Sequence, residues 1–193
     1  MGLDMYLERM PKFKRVSIDT IMDIQGYFSW KEAKEEGNPF ADCTLKDWCG
    51  ADIDNVAKEV LEYYEQFYTT KYYYWDGEHK YPRKMIYESV GYWRKANAIH
   101  NWFVENVQDG EDDCAYYEVS RGQLEELLDI CYTVMSNPEI ASEYLPTQSG
   151  FFFGSTEYDE WYMQDIKTTI EILTNVLETT DFNNQIVAYR ASW

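Results

Sequence analysis

Residues 71–87, KYYYWDGEHKYPRKMIY, decide the fold class in this sequence. Two runs rich in aromatic and apolar residues, 71–75 and 83–87, flank Asp76-Gly77, a dipeptide suited to the positive φ angles of a tight turn. The pattern predicts two antiparallel strands joined as a hairpin. Because proline has no backbone N–H to donate to a neighbouring strand, Pro82 favours a position at a sheet edge.

The two ends of the chain are also predicted to form strands. Residues 3–7, LDMYL, alternate apolar and polar side chains with the period of a half-buried strand, and Pro11 ends this segment. Residues 185–190, QIVAYR, are apolar enough for a second terminal strand. These strands and the central hairpin do not alternate regularly with helices, which argues against a parallel sheet.

Helices are predicted between the strands, where apolar residues recur at three and four positions. Residues 18–36 are ambiguous: a helix that Gly26 interrupts is followed by a second helical stretch from Trp30, and residues 43–50 are expected to have little regular structure. Four further helices are predicted. The first has Asp52 as its N-cap, and the second spans residues 92–107. The third follows a capping box at Ser120–Gln123 and ends before Asn137-Pro138, and the fourth begins near Thr156 with Asp159 at the capping-box position. The fold class is therefore α+β, an antiparallel sheet with long amphipathic helices packed on it, in a single domain over residues 1–193.

Acidic residues dominate the charge. The chain has 35 acidic and 17 basic residues and a net charge of −18. Between Glu105 and Asp181 there are 18 acidic residues and two basic ones, Arg121 and Lys167. Such a surface repels phosphates and anionic lipid, so direct nucleic-acid or membrane binding is disfavoured and a basic protein is the natural partner. The alternative is that the charge only keeps a tyrosine-rich surface soluble.

Cysteine and histidine spacing predicts neither a metal site nor a cofactor. The four cysteines form no CxxC pair, and the two histidines stand far apart. The amino terminus has no basic and apolar leader pattern, and no apolar stretch approaches 18 residues. We therefore expect a cytoplasmic protein with free thiols.

The first candidate ligand site lies on the predicted helix 92–107. Arg94, Asn97 and Asn101 share a face beside His100, so that guanidinium, amide and imidazole groups converge as an anionic or nucleotide-like ligand would require. The alternative is that His100 is a core histidine and that Arg94 pairs with a carboxylate.

A second candidate is the loop 145–156, LPTQSGFFFGST, which leads into a helix amino terminus. Its glycines and hydroxyls suit an anion and its phenylalanines suit a stacked ring; the residues predicted to contact a ligand are Ser149, Gly150, Phe152 and Ser155. The alternative is that the phenylalanines anchor the loop on the core while Ser155 or Thr156 caps the helix.

Acidic residues near residues 109–113 form a third candidate. The run resembles part of a calcium loop but lacks the regular ligand spacing, so a solvated acidic turn is favoured over a metal site. The residues predicted to contact a basic protein partner are Glu111, Asp112, Asp113, Glu157, Asp159 and Glu160.

Four blocks carry a family resemblance: MGLDMYL at the start, YWRKANAIHNWFV at 92–104 with Asp112-Asp113-Cys114, the block 145–158, and YRASW at the end. In these blocks, about a fifth of the chain, the sequence resembles an uncharacterised family of small acidic proteins of bacteriophages and prophages of Gram-positive bacteria. The resemblance implies a viral accessory protein of the host cytoplasm and supplies no reaction. Small acidic phage proteins often antagonise host defence, anti-CRISPR proteins among them.

Three functions are consistent with these observations. The leading hypothesis is a non-enzymatic antagonist that blocks a basic, nucleic-acid-binding host factor by presenting carboxylates in place of phosphates. The first alternative is a protein that sequesters a nucleotide signal, which requires the segments around Arg94 and Ser149 to meet at a concave pocket. The second is a phosphoesterase-like enzyme in which His100 acts as general base and Asp112 or Asp113 orients it or holds a divalent cation.

Overall fold

The computed structural model describes residues 2–74 and 80–193 of the chain. Within those ranges it contains six strands, seven α-helices and two short 3-10 turns. The strands are β1 (Asp4–Pro11), β2 (Thr69–Tyr74), β3 (Lys80–Met85), β4 (Glu88–Arg94), β5 (Tyr117–Val119) and β6 (Gln185–Ser192). The helices are α1 (Ile18–Glu35), α2 (Leu45–Cys49), α3 (Lys58–Glu65), α4 (Asn97–Val107), α5 (Arg121–Ser136), α6 (Ala141–Tyr144) and α7 (Glu160–Thr179).

The two terminal strands form the centre of the main sheet. Its order is β4-β1-β6-β5, and all neighbouring strands run antiparallel. β1 pairs with β6 along its whole length, from Asp4 opposite Ser192 to Pro11 opposite Gln185. Strands β2 and β3 pair separately as a two-stranded sheet. The predicted pairing of these two segments is confirmed, whereas the predicted Asp76-Gly77 turn lies outside the described residues.

Helices cover both faces of the main sheet. Alternate residues of β1 point to opposite sides, so Met5 and Leu7 join the cluster built with α4, α5 and α7, whereas Met10 joins a cluster with α1 and α3. The predicted α+β class, with an antiparallel sheet and long packed helices, is confirmed.

Residues 18–35 form one continuous helix, so the predicted interruption at Gly26 is wrong. A Cβ atom at position 26 would lie 2.7 Å from Cys49 Sγ. Glycine is therefore present because α2 packs closely against α1, not because α1 ends there. The segment around α2 is also more regular than expected, with Thr44 as N-cap and Gly50, at a φ of 76°, as C-cap.

Three helix starts differ from prediction. Asp52 accepts a hydrogen bond from the Asp54 amide in a turn, and α3 begins only at Lys58. The segment predicted as the first turn of a helix from Tyr92 belongs to strand β4, and the chain changes to α4 at Lys95, which has a φ of 62°. α7 begins at Glu160, because Asp159 is its N-cap. The capping box at Ser120 and Gln123 and the end of α5 before Asn137 are confirmed.

Candidate functional site

A cavity of about 350 Å³ lies where β4 turns into α4 and where the amino-terminal half of α7 passes by. Residues 94–99 form one side of it, residues 161–166 another, and parts of the loop 147–159 line the rest. The volume is at the lower end of the range for small-molecule sites, which suits a ligand of mononucleotide size.

The side formed by residues 94–99 is cationic. Lys95 has the left-handed backbone that non-glycine residues adopt rarely and at a cost of about 1 kcal/mol or more, and such conformations concentrate at functional sites. Its amide donates to Leu3 O at 2.8 Å, and its aliphatic stem packs over Gly154. Within the described parts of the chain, no carboxylate lies within 4.0 Å of its ammonium group. Arg94 is half exposed beside it, 4.0 Å from Asp4 Oδ1.

The amino terminus of α4 adds to this positive side. Its N-cap is Ala96, and no side chain accepts a hydrogen bond from the first-turn amides. The amides of Ala98 and Ile99 therefore contribute the positive end of the helix dipole to the cavity that these residues line.

The side formed by α7 carries an aromatic ring and a carboxyl group. Trp161 is 71% exposed, and Asp165 follows four residues later, so the two side chains are neighbours on one helix face. Burial, together with the nearby Asp159 carboxylate, raises the pKa of Asp165 to about 7. Among the described residues, no hydrogen bond reaches the Asp165 carboxyl group. Near neutral pH this carboxyl group is therefore partly neutral and is available to a ligand.

Asn97 joins the two predicted segments. Its amide nitrogen donates to Phe153 O at 3.1 Å and Ser155 O at 2.8 Å, and its amide oxygen accepts from the Gln148 amide at 3.1 Å. Asn97 is buried and its donors are used within the protein, so it holds the loop rather than a ligand. The segments around Arg94 and the 145–156 loop thus meet at a concave surface, which the small-molecule hypothesis required.

The structure brings only some of the predicted ligand residues together. Arg94, Asn97 and Ser155 line the cavity. Asn101 lines a separate cavity of about 150 Å³, and His100 is fully buried. Ser149, Gly150 and Phe152 are exposed and do not line the main cavity. The expected helix face shared by Arg94, Asn97 and Asn101 does not exist, because Arg94 precedes the helix and belongs to β4.

His100 belongs to a hydrogen-bonded chain in the core. Its Nδ1 lies 2.8 Å from the Tyr189 hydroxyl, and its Nε2 lies 3.0 Å from Asp112 Oδ2. The Trp193 indole donates to the other oxygen of Asp112 at 3.0 Å. Burial holds the pKa of Tyr189 well above its usual value, so the hydroxyl keeps its proton and can donate to Nδ1, while the tautomer with a proton on Nε2 can donate to the Asp112 carboxylate.

These contacts agree with the alternative interpretation of His100 as a buried core histidine whose ring nitrogens are both hydrogen-bonded. Asp112 orients His100, as the enzymatic hypothesis required, but the imidazole has no exposed surface with which to reach a substrate. Asp113 faces elsewhere and accepts from the Ala115 amide and the Tyr117 hydroxyl. No group of three or more potential metal ligands occurs in the described ranges 2–74 and 80–193.

The predicted acidic contact residues lie at the surface to different degrees. Glu111, Asp113, Glu157 and Glu160 are exposed, whereas Asp112 and Asp159 are partly buried by their hydrogen bonds to His100 and to α7. Of the 18 acidic residues between Glu105 and Asp181, 15 are exposed. No helix in the described ranges is both long enough and apolar enough to cross a membrane.

Among the residues that line the cavity, the sequence interpretation missed Lys95, Trp161 and Asp165, on which the functional proposal below depends. A lysine next to Arg94 and a tryptophan four residues before an aspartate are weak signals, because solvated helices commonly carry both. The left-handed backbone at Lys95 has no sequence signature of the kind that glycine or asparagine would provide.

In comparisons with known proteins, no family model, no curated protein and no solved structure matches this chain. The geometry of the cavity and the charge of the surface are therefore the basis of the functional proposals below.

Proposed function

We propose that this protein binds a small anionic ligand that carries an aromatic ring, of mononucleotide size, in the cavity between β4, α4 and α7. The observation that carries the proposal is that Lys95 lines the cavity and that its ammonium group has no ion-pairing carboxylate among the described residues of a protein with a net charge of −18. A cation that no nearby carboxylate neutralises favours an anionic ligand.

Three carboxyl groups also line the cavity, and they do not cancel this preference. Asp159 accepts the Trp161 and Tyr162 amides as the N-cap of α7, and Asp165 is partly neutral at pH 7. Glu157 is exposed to solvent, which screens its charge. The amides at the start of α4 add a further attraction for an anion.

The exposed indole of Trp161 supports a ring in the ligand. Large exposed aromatic side chains are favourable surfaces for stacking, and base–aromatic stacking contributes about 1–3 kcal/mol per base. A phosphate bound at Lys95 and Arg94 and a ring stacked on Trp161 would span two sides of the same cavity.

A thermal-shift screen with mononucleotides, cyclic nucleotides and ADP-ribose tests this function. A ligand at a hundred times its dissociation constant is expected to stabilise the fold by roughly 2.7 kcal/mol. Lys95→Asn, which removes the charge and tolerates a positive φ, is expected to weaken binding by about 10- to 100-fold. Arg94→Ala should also remove most of the stabilisation, whereas Lys167→Gln on the exposed side of α7 should not. A flat screen, or equal stabilisation of Lys95→Asn and wild type, would refute the proposal.

The exposed carboxylates favour a second candidate function. The 15 exposed acidic residues of the 105–181 region would contact a basic, nucleic-acid-binding protein. The resemblance to phage proteins implies that this partner is a protein of the host cytoplasm. A pull-down from host lysate is expected to recover such a protein, with a complex that weakens steeply between about 50 and 200 mM salt. Recovery of no basic protein, or binding that is indifferent to salt, would exclude this function.

A further inference from the structure

We propose that the neutral carboxyl group of Asp165 selects the ligand by hydrogen bonding to the edge of its ring. The edge it recognises has a hydrogen-bond donor next to an acceptor, as the amidine edge of adenine has. This inference rests on the proposed function, because it assumes that a ring-bearing anion occupies the same cavity.

The position of Asp165 on α7 is the geometric basis. Trp161 and Asp165 are four residues apart on a helix, so their side chains project from the same face about one turn from each other. A ring stacked on the Trp161 indole therefore has its edge near the Asp165 carboxyl group. Lys95 projects from a different element, the β4–α4 corner, and is available to the anionic part of the ligand.

The protonation state of Asp165 determines which edge it can recognise. A protonated carboxyl group offers one O–H donor and one carbonyl acceptor, and this pair matches an edge with an acceptor beside a donor. An ionised carboxylate offers acceptors only and leaves a ring-nitrogen acceptor without a partner. The partial burial of Asp165 in the cavity wall, beside the Asp159 carboxylate, favours the neutral form.

Charged and titratable groups face the cavity from each element that surrounds Asp165. They are Arg94 and Lys95 from the β4–α4 corner, Glu157 and Asp159 from the loop, and Tyr162 from α7 itself. Burial raises the pKa of Asp165, and the Asp159 carboxylate raises it further. Burial also raises the pKa of Tyr162, so the tyrosine stays neutral between pH 6 and 8. Among these groups, Asp165 is therefore the one expected to change charge near pH 7.

Calorimetric titration with two probes tests the inference. Adenosine 5′-monophosphate carries phosphate and ring, whereas ribose 5-phosphate carries the same phosphate ester without the ring. The ratio of their affinities isolates the contribution of the ring and cancels the titration of the phosphate itself. The neutral fraction of Asp165 falls from about nine-tenths at pH 6 to about one-tenth at pH 8, because its pKa is about 7. The affinity ratio is therefore expected to fall about tenfold over this range in the wild type.

Three variants sharpen the result. Asp165→Asn keeps a donor and an acceptor at every pH, so its affinity ratio should stay high and flat. For Asp165→Ala, the ratio of the nucleotide affinity to the ribose 5-phosphate affinity should be at least tenfold lower than the wild-type ratio at pH 6. This ratio should not change with pH. Glu171→Gln removes an exposed carboxylate of the same helix and should behave as wild type.

The outcomes separate this inference from the proposed function. If both probes bind but the wild-type ratio is flat or rises with pH, or if ribose 5-phosphate binds as tightly as the nucleotide, the role of Asp165 is wrong while the anion site stands. If neither probe binds at millimolar concentration, the proposed function fails and the inference fails with it.

Discussion

Replacing His100 with alanine is expected to lower the free energy of unfolding by about 3–5 kcal/mol. The imidazole is fully buried, contacts the Phe153 ring edge-to-face at a centroid distance of 5.2 Å and makes two hydrogen bonds. Its removal leaves a cavity and also leaves the Tyr189 hydroxyl without a buried acceptor. Urea denaturation monitored by tryptophan fluorescence measures the loss.

The neighbouring Asn101 provides the matched control for this prediction. It lies one residue along α4, is partly exposed and makes no side-chain hydrogen bond to the residues that the structure describes. We expect Asn101→Ala to cost less than about 1 kcal/mol. A double-mutant cycle adds a second check, since His100→Ala and Tyr189→Phe remove the same hydrogen bond and should be less than additive. Equal losses at positions 100 and 101 would contradict the structural role of His100.

Replacing Asn97 with alanine is expected to cost about 2–4 kcal/mol and to release the 147–155 loop from α4. The substitution removes three hydrogen bonds and leaves two carbonyl oxygens and one amide of the loop unsatisfied. Hydrogen exchange is expected to accelerate selectively at the Gln148 amide and its neighbours, while the central strands β1 and β6 stay protected.

Two variants test the cause of that loss. Asn97→Asp keeps the acceptor for Gln148 but turns a carboxylate oxygen toward two carbonyl oxygens at a buried position, so it should be at least as destabilised as Asn97→Ala. Asn175→Ala, at an exposed position of α7, should change stability by less than about 0.5 kcal/mol. If exchange in the loop were unchanged in Asn97→Ala, the loop would be held by its phenylalanine anchor, Phe153, rather than by Asn97.

The candidate site could be predicted only in part. The sequence pointed to the Arg94 region and to the 145–156 loop, and these two segments do meet. It misassigned the roles within them, because it treated 92–107 as one helix and so placed Arg94, Asn97 and Asn101 on one face beside His100. The change from strand to helix at Lys95 separates Arg94, which lines the cavity, from His100, which points into the core.

The sequence by itself determined those features that depend on interactions between residues close together in the chain. The terminal strands, the capping box at Ser120 and the amphipathic spacing of α5 and α7 depend on residues no more than a few positions apart. Side-chain periodicity and capping act locally, so they can be recognised in a single sequence.

Only the tertiary structure decided where the chemically useful groups lie. His100 meets Tyr189 across 89 residues and Asn97 meets Phe153 across 56, and the cavity exists because α7 passes the β4–α4 corner. The role of Gly26 depends in the same way on the approach of α2. Contacts of this kind depend on the packing of the whole chain. The free energy that favours them comes from burying surfaces that are distant in sequence, and no local sequence pattern shows which of these surfaces will meet.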